Sequence, residues 1–164
     1  MKRLTLIRHA KSSWDNPALD DFHRPLNRRG KSNAPDMGRR LANRAFLPDL
    51  MITSPAERAS TTARIIAAEI GYPRNRIQSD DRIYMADPAN LIKLIRETSE
   101  DVDHLVLFGH NPGFTQLANR LGDARIDNVP TCGVVCLEFE IASWRSFPGD
   151  GGTVLDFDFP KLQR

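Results

Sequence analysis

Apolar residues follow two kinds of spacing along the chain: short continuous runs and helical repeats. Three short runs are bounded by polar or basic residues, at positions 4–7, 50–52 and 105–108. Such runs are typical of strands that are buried on both faces of a parallel sheet. Toward the end of the chain, residues 134–140 and 153–159 look like two further strands around a turn region rich in Gly, Pro and Ser.

Helical repeats lie between and after the first three runs, with apolar residues three or four positions apart. The four repeats are Ala34, Met37 and Leu41; Ala59, Thr62, Ala63, Ile66, Ala67 and Ile70; Leu91, Leu94 and Ile95; and Phe114, Leu117, Ala118 and Leu121. Strands that alternate with helices predict an α/β fold with a doubly wound, mainly parallel sheet and helices on both faces. The last two strands are expected to extend this sheet as a C-terminal antiparallel hairpin.

Three of the predicted helices share one type of start, a capping residue followed by proline at the first helical position. The three pairs are Ser54-Pro55, Asp87-Pro88 and Asn111-Pro112. Glu57 also stands where a capping box requires it. This arrangement places Arg58 in the first helical turn, near a helix N-terminus that favours anions.

The composition fits one domain over residues 1–164, because 164 residues with 40% hydrophobic content can build a core of their own. Lys and Arg number 23 against 21 Asp and Glu, for a formal charge of +2. This balance predicts neither a nucleic-acid surface nor a membrane surface. Only a short apolar run precedes Arg8, so neither a signal peptide nor a membrane-spanning helix is expected, and the predicted location is the cytoplasm. The composition does not indicate the oligomeric state.

Cys132 and Cys136 are expected to be reduced thiols. They lie four positions apart at a predicted strand, and four residues of strand span about 13 Å. A disulfide needs Cα atoms within roughly 7 Å of each other. The cysteine spacing also differs from that of zinc sites and the four histidines are scattered, so we predict neither a metal nor a cofactor.

Residues of catalytic type follow each of the three buried runs. Arg8 and His9 follow the first run, Arg58 lies in the segment after the second, and His110 follows the third. Because the carboxyl ends of parallel strands share one edge of a sheet, we expect these side chains to lie together. Two guanidiniums and two imidazoles would repel one another without a counter-anion, and a tetrahedral phosphoryl group is the obvious one. The sequence therefore predicts a phosphate pocket.

Each of these residues also has an ordinary structural interpretation. Arg8 and His9 alone could be a surface pair at a strand end. Arg58 alone could be a solvated residue of an amphipathic helix, and His110 a polar group that satisfies a helix start. All of them occur together and in order at strand ends of one sheet, which favours the phosphate pocket.

Residues 6–10, Leu-Ile-Arg-His-Ala, resemble the RHG/RHA signature of the histidine phosphatase superfamily. Residues 54–63 are similar to the superfamily's second arginine segment, and residues 109–112 to its second histidine segment, in the expected order. Residues 11–14, residues 21–30 and the short length resemble the SixA-type phosphohistidine phosphatases. The resemblance implies a phosphoglycerate mutase-like fold and a phosphatase.

The resemblance implies that His9 is the nucleophile and that Arg8, Arg58 and His110 hold the phosphoryl oxygens. A neutral imidazole is a competent nucleophile near neutral pH, and its phosphorylated form is labile enough for water to release the phosphate. Fixed arginine forks supply alignment and charge for phosphoryl transfer without a metal.

A long polar loop at residues 12–27 follows the first strand, and the resemblance suggests that it forms a lip over the pocket. Arg24 would add positive charge there, while Asp21 would orient Arg24 or a water molecule. Lys11 and Asn16 are further candidates for contact with the substrate. Ordinary solvation of the loop is the alternative for these residues.

The segment 82–87 is where many members of the superfamily carry a glutamate, and here it contains none. Asp87 is assigned to a helix cap and is not available as an acid. A phosphoramidate such as phosphohistidine releases an imidazole, which is less basic than an alkoxide and needs less protonation by the enzyme. The missing glutamate therefore favours a P–N substrate over an alkyl P–O substrate.

We therefore expect a phosphohistidine phosphatase that acts on a phosphorylated protein, such as a histidine-containing phosphotransfer domain, or on a small phosphorylated compound. One alternative is a phosphomonoesterase of the same superfamily for a small sugar or nucleotide phosphate. The other is a non-catalytic module that binds phosphate or a protein partner. The presence of His9 is evidence against this module, because a binder does not need a nucleophile.

Overall fold

A computed structural model of the chain describes residues 1–163. This part of the chain forms one six-stranded sheet and four α-helices. The strands are β1 (Lys2–Arg8), β2 (Leu50–Thr53), β3 (Gln78–Ser79), β4 (His104–Gly109), β5 (Val134–Phe139) and β6 (Thr153–Asp158). The helices are α1 (Arg28–Asn43), α2 (Glu57–Ile70), α3 (Pro88–Arg96) and α4 (Gly113–Leu121).

The strands are ordered β3-β2-β4-β1-β5-β6 across the sheet. Strands β1 to β4 run parallel to their neighbours among themselves, whereas β5 pairs with β1, and β6 with β5, in antiparallel fashion. The predicted mainly parallel sheet with a C-terminal antiparallel hairpin is confirmed. Strand β3 was not predicted, because its two exposed residues form no apolar run.

Helices cover both faces of the sheet, and the side chains of β4 show how. Leu105 and Leu107 belong to a core cluster with residues of α3 and α4. Val106 and Phe108, which alternate with them, belong to a second cluster with residues of α1 and α2. All four side chains are fully buried. The expected doubly wound arrangement is confirmed, since a strand buried on both faces needs helices on both sides.

The predicted start of α3 is confirmed: Asp87 accepts a hydrogen bond from the backbone of Asn90, and proline is the first helical residue. The predicted start of α2 is wrong by two residues. The Ser54 hydroxyl accepts the backbone N–H of Ala56, only two residues on, instead of capping the helix. The helix consequently begins at Glu57 without a side-chain cap.

The predicted start of α4 is wrong by one residue. Pro112 occupies the capping position with helical backbone angles, φ −80° and ψ −8°, and Gly113 is the first helical residue. The Asn111 side chain accepts a hydrogen bond from the backbone of Thr115. The position of Arg58 is unaffected by these differences, because it still lies in the first turn of α2.

Cys132 and Cys136 are free thiols, as predicted. Cys132 lies just before β5 and is fully buried, and burial raises its pKa to about 12. Cys136 lies within β5, where its Sγ accepts a hydrogen bond from the Thr5 hydroxyl at 3.3 Å. Within residues 1–163, no helix is long and apolar enough to cross a membrane, and no three His, Cys, Asp or Glu side chains are grouped to hold a metal ion.

Candidate active site

The carboxyl ends of β1, β2 and β4 lie side by side. The backbone N–H of His9 donates to the carbonyl of Gly109 at 3.0 Å, and the backbone N–H of Ser54 donates to the carbonyl of Phe108 at 2.9 Å. These contacts continue the sheet pairing one residue beyond each strand. They bring His9, Ser54 and His110, which follow three different strands, to one place at the sheet edge.

The imidazole rings of His9 and His110 form the centre of the site, with ring centroids 5.3 Å apart. Both residues are buried, at 6% and 5% exposure. Nδ1 of His9 lies 2.7 Å from the carbonyl oxygen of Ala10. A carbonyl oxygen can only accept, so Nδ1 carries the proton and Nε2 presents its lone pair.

Both imidazoles are held in the neutral form. Burial is the main cause, and the nearby positive charges of Arg58 and Arg8 act in the same direction. The pKa of His9 is lowered to about 3 and the pKa of His110 to about 4. A neutral His9 with a free Nε2 lone pair has the properties of a nucleophile at neutral pH.

Two guanidiniums flank the imidazoles. Arg58 is buried, and its Nη1 and Nη2 donate to the backbone carbonyl of Asp21 at 2.6 Å and to its carboxylate at 2.9 Å. Nη1 of Arg8 donates to the carbonyl of Val129 at 3.0 Å. Burial and the charge of Arg58 both lower the pKa of Arg8. The site therefore concentrates positive charge in a partly desolvated place, which favours an anion.

Three of these side chains have a buried nitrogen atom without a hydrogen-bond partner. The atoms are Nε of Arg8, Nε of Arg58 and Nδ1 of His110, and in residues 1–163 only the hydroxyl of Thr98 shares this property. A buried polar group without a partner costs about 1–3 kcal/mol. Three such atoms at one place indicate a site built for a ligand with several acceptor atoms, which a phosphoryl group has.

Ser54 belongs to the site although the sequence pattern indicated only a helix cap. Its Oγ is fully buried and lies 2.8 Å from Nε2 of His110. The same oxygen accepts the backbone N–H of Ala56 at 3.2 Å, so its own proton is free to point at His110. When that proton is donated to Nε2, Nδ1 of His110 is the protonated nitrogen and can donate to a ligand. The contact joins two strands and has no local sequence signal.

Tyr84 is a second residue that sequence reasoning missed. Its hydroxyl donates to the Asp21 carboxylate at 2.6 Å, and its ring meets His110 edge-on with centroids 5.4 Å apart. Burial raises the pKa of Asp21, but hydrogen bonds from Tyr84 and Arg58 outweigh it and lower that pKa to about 2. Asp21 also accepts from Nε of Arg24 at 3.2 Å. Asp21 is thus an ionised carboxylate that joins the loop to the site.

The remaining predicted substrate contacts are Arg24 and Asn16 in the loop and Lys11 just before it. Arg24 is buried, and its guanidinium stacks 3.5 Å from the ring centre of Trp14. Lys11 is exposed and lines a cleft together with Arg8. Asn16 is exposed, and its side chain accepts a hydrogen bond within its own loop. Arg24 thus reaches the site through Asp21, and Lys11 lies beside Arg8. Within residues 1–163, no hydrogen bond joins Asn16 to the residues of the site.

Known proteins share the sequence pattern of this chain. The family model of the histidine phosphatase superfamily (branch 1) matches residues 4–84. A chloroplastic protein from Arabidopsis thaliana is 30% identical over 166 residues, which cover 94% of this chain and 76% of the plant protein. The matched segment contains three of the four residues at the centre of the site, namely Arg8, His9 and Arg58.

Solved structures share the fold. The candidate phosphohistidine phosphatase SixA from Agrobacterium tumefaciens is 28% identical with a TM-score of 0.81, and the match covers 97% of this chain and 98% of that protein. The protein histidine phosphatase SixA in complex with tungstate has a TM-score of 0.82 at 19% identity, and the match covers 96% of this chain and 97% of that protein. A mycobacterial glucosyl-3-phosphoglycerate phosphatase has a TM-score of 0.66 at 14% identity, and the match covers 97% of this chain and 98% of that protein. The last two are likenesses of fold alone. On the combined match of sequence and fold, the chain belongs to branch 1 of the histidine phosphatase superfamily and is of the SixA type.

Proposed function

We propose that the chain hydrolyses phosphohistidine on a protein, such as a histidine-containing phosphotransfer domain, through a phosphorylated His9. The observation that carries this proposal is the set of unpartnered buried donors on Arg8, Arg58 and His110 around a neutral imidazole. Membership of the superfamily supports phosphatase chemistry, and the likeness to the Agrobacterium tumefaciens protein supports the P–N substrate class. A cytoplasmic location is part of the proposal.

In the first step, Nε2 of His9 attacks the phosphorus atom while the bond from phosphorus to the leaving nitrogen breaks. The phosphoryl oxygens accept hydrogen bonds from Arg8, Arg58 and His110, which stabilise the charge on these oxygens in the transition state. The leaving imidazole takes up a proton from solvent water as it departs. The hydrogen bond from Nδ1 of His9 to Ala10 fixes the ring and stabilises the positive charge that it gains.

In the second step, water attacks the phosphorus of the phosphorylated His9. The N–P bond breaks, inorganic phosphate leaves, and Nε2 regains its lone pair. The two steps replace one difficult displacement by two easier ones. Because the same donors hold the oxygens in both steps, the protein does not need to rearrange between them.

The acid–base groups near the site favour a P–N substrate. Asp21, with its pKa lowered to about 2, is a carboxylate at neutral pH and cannot supply a proton. The hydroxyl of Tyr84 already donates to that carboxylate. An alkoxide leaving group needs a proton donor more than an imidazole does, so alkyl phosphates are expected to react slowly.

Turnover of a phosphohistidine peptide and of an alkyl phosphate by the same preparations tests this function. We expect kcat/KM for phosphohistidine to exceed that for the alkyl phosphate by about 100-fold or more, the scale on which acid catalysis acts. His9→Ala is expected to lose activity on both, whereas His23→Ala, an exposed histidine paired with Asp20, is the matched control and keeps it.

Two results would overturn the proposal in different ways. Equal or faster turnover of the alkyl phosphate assigns the chain to the phosphomonoesterases of small molecules. Binding of phosphate by the wild-type protein without turnover of either compound assigns it to the non-catalytic modules, and His9→Ala then binds phosphate as well as the wild type does.

A further inference from the structure

A cleft of about 400 Å³ opens beside the candidate active site, and Arg8 belongs to both. Four basic side chains line this cleft and no Asp or Glu does; the four are Arg8, Lys11, Arg29 and Lys161. Within residues 1–163, none of the four takes part in an ion pair. We call this feature the basic cleft.

Three arginines elsewhere in the structure, by contrast, are paired with carboxylates. Arg40 and Arg44 each approach the buried carboxylate of Asp158 to 3.0 Å, and Arg58 binds Asp21. Four like charges that gather without a carboxylate repel one another, and this repulsion is relieved when an anion binds. The basic cleft is therefore suited to an anionic partner.

The start of α1 adds positive potential to the basic cleft. A helix N-terminus carries partial positive charge, which acidic residues in the first turn usually offset. Helix α1 has no acidic residue in its first turn and carries Arg28 and Arg29 there instead. The two arginines thus add to the partial positive charge of this helix start instead of offsetting it.

Backbone contacts hold the basic groups in place. The backbone N–H of Asn27 donates to the carbonyl of Lys11 at 2.9 Å. A Cβ atom at Gly30 would lie 2.1 Å from the same carbonyl oxygen, so glycine is needed for α1 to start this close to Lys11. Near Lys161, the guanidinium of Arg40 donates to the backbone carbonyl of Pro160 at 2.8 Å. The cleft is thus a formed feature of the fold.

We propose that the basic cleft binds acidic side chains that neighbour the phosphohistidine of a protein substrate, an inference that rests on the phosphatase function above. Lys11, Arg29 and Lys161 come from three separate segments and are exposed. Such a spread suits several carboxylates on a protein surface better than one compact phosphate. Because Arg8 borders both places, one substrate segment reaches the cleft while its phosphoryl group faces His9. The cleft then selects substrates and speeds their association.

The test compares two short phosphohistidine peptides, one with glutamates on both sides of the histidine and one with glutamines in their place. At low ionic strength, we expect the wild-type protein to have a kcat/KM about tenfold higher for the glutamate peptide, the scale of a few exposed charge pairs. The double variant Arg29→Gln/Lys161→Gln is expected to lose this preference and to keep its kcat/KM for the glutamine peptide.

The matched control is Lys93→Gln/Arg145→Gln, which removes two exposed charges that do not line the cleft and is expected to keep the preference. The dissociation constants of both peptides are also measured with His9→Ala, so a preference for the glutamate peptide is detected even without turnover. Failure of turnover therefore concerns the proposed function, whereas failure of the preference concerns the cleft.

Three results would overturn the assignment of the basic cleft. The wild-type protein could treat the two peptides alike, or the double variant could lose activity equally on both. The third is a double variant that loses turnover only of a small bisphosphorylated compound such as fructose 1,6-bisphosphate, which would assign the cleft to a second phosphate group.

Discussion

Asp21 holds Arg58 by two contacts, one through its backbone carbonyl and one through its carboxylate. The backbone contact does not depend on the side chain and survives substitution, whereas the carboxylate's contacts with Arg58, Tyr84 and Arg24 are lost. A guanidinium that is fixed before the substrate arrives needs no reorganisation when charge develops on the phosphoryl oxygens. The Asp21 carboxylate is thus a positioning group for Arg58.

Asp21→Ala is expected to lower kcat/KM for phosphohistidine by about 10- to 100-fold, because Arg58 keeps its charge but loses part of its fixed orientation. Steady-state kinetics measures this loss. Asp15→Ala, an exposed carboxylate of the same loop, is the control and should behave as the wild type. Unchanged kinetics in Asp21→Ala would show that the carboxylate only stabilises the loop.

The central residues of the site could be placed together from the sequence, because each follows a segment whose apolar run marks a strand. Ser54 and Tyr84 could not be found in this way. Ser54 acts through its contact with His110, which follows the neighbouring strand β4, and Tyr84 through a side chain that reaches Asp21 from a distant segment. Such contacts depend on side-chain directions that only the folded backbone determines.

Among the secondary-structure elements, α1 is closely adjusted to the segment that follows β1. Its first turn approaches the backbone of Lys11 so closely that the Cβ of any other residue at Gly30 would meet the Lys11 carbonyl oxygen. The backbone there cannot simply move away, because the carbonyl also accepts the N–H of Asn27. The contact fixes the basic cleft relative to His9.

Gly30→Ala is expected to lower the free energy of unfolding by about 1–3 kcal/mol, the usual cost of overpacking. Helix propensity alone would favour alanine over glycine by roughly 1 kcal/mol. The sign of the change in the free energy of unfolding therefore distinguishes overpacking from helix propensity. Ser32→Ala, an exposed position in the same helix, should change stability by less than about 0.5 kcal/mol. Urea denaturation measures both, and a stabilised Gly30→Ala would contradict the close contact.

The starts of α2 and α4 show why element boundaries are hard to derive from sequence. Ser54 has the residue type of a cap, but its hydroxyl binds Ala56 and His110 instead. Pro112 can occupy either the capping or the first helical position, since its φ suits both. The sequence leaves two first residues equally plausible for each helix. The contacts of Ser54 decide where α2 begins, and the backbone angles of Pro112 decide where α4 begins.

The layers of the molecule, a sheet with helices on both faces, could be predicted from the sequence. Continuous apolar runs identify buried parallel strands, and helical repeats between them require helices on both faces. The strand order β3-β2-β4-β1-β5-β6 is not encoded in any local pattern. It depends on which strands pair across long sequence separations, and β3 is too short and exposed to be recognised.

The stability of the whole molecule should depend on pH through its buried histidines. Burial lowers the pKa of His9 to about 3 and the pKa values of His104 and His110 to about 4. Below about pH 6.5, the unfolded chain binds protons that the folded chain excludes, so the free energy of unfolding falls as the pH falls. The loss by pH 5 is about 2 kcal/mol for each such histidine.

Urea denaturation of the ligand-free protein at several pH values between 7 and 5 measures this slope. His104→Gln should make the slope shallower by about a third, since three histidines with lowered pKa values contribute. Carboxylates do not account for the effect, because they titrate mainly below about pH 4.5. A flat profile over this range would contradict the burial of neutral imidazoles.

The most direct test of the whole account is to look for the phosphate on His9. Rapid mixing with a peptide that carries radiolabelled phosphohistidine, followed by quenching and peptide mapping, should show label on the enzyme at His9 before free phosphate accumulates. The label should be labile in acid and stable in base, present in His23→Ala and absent in His9→Ala. Release of phosphate without enzyme labelling, or labelling of another residue, would contradict the account.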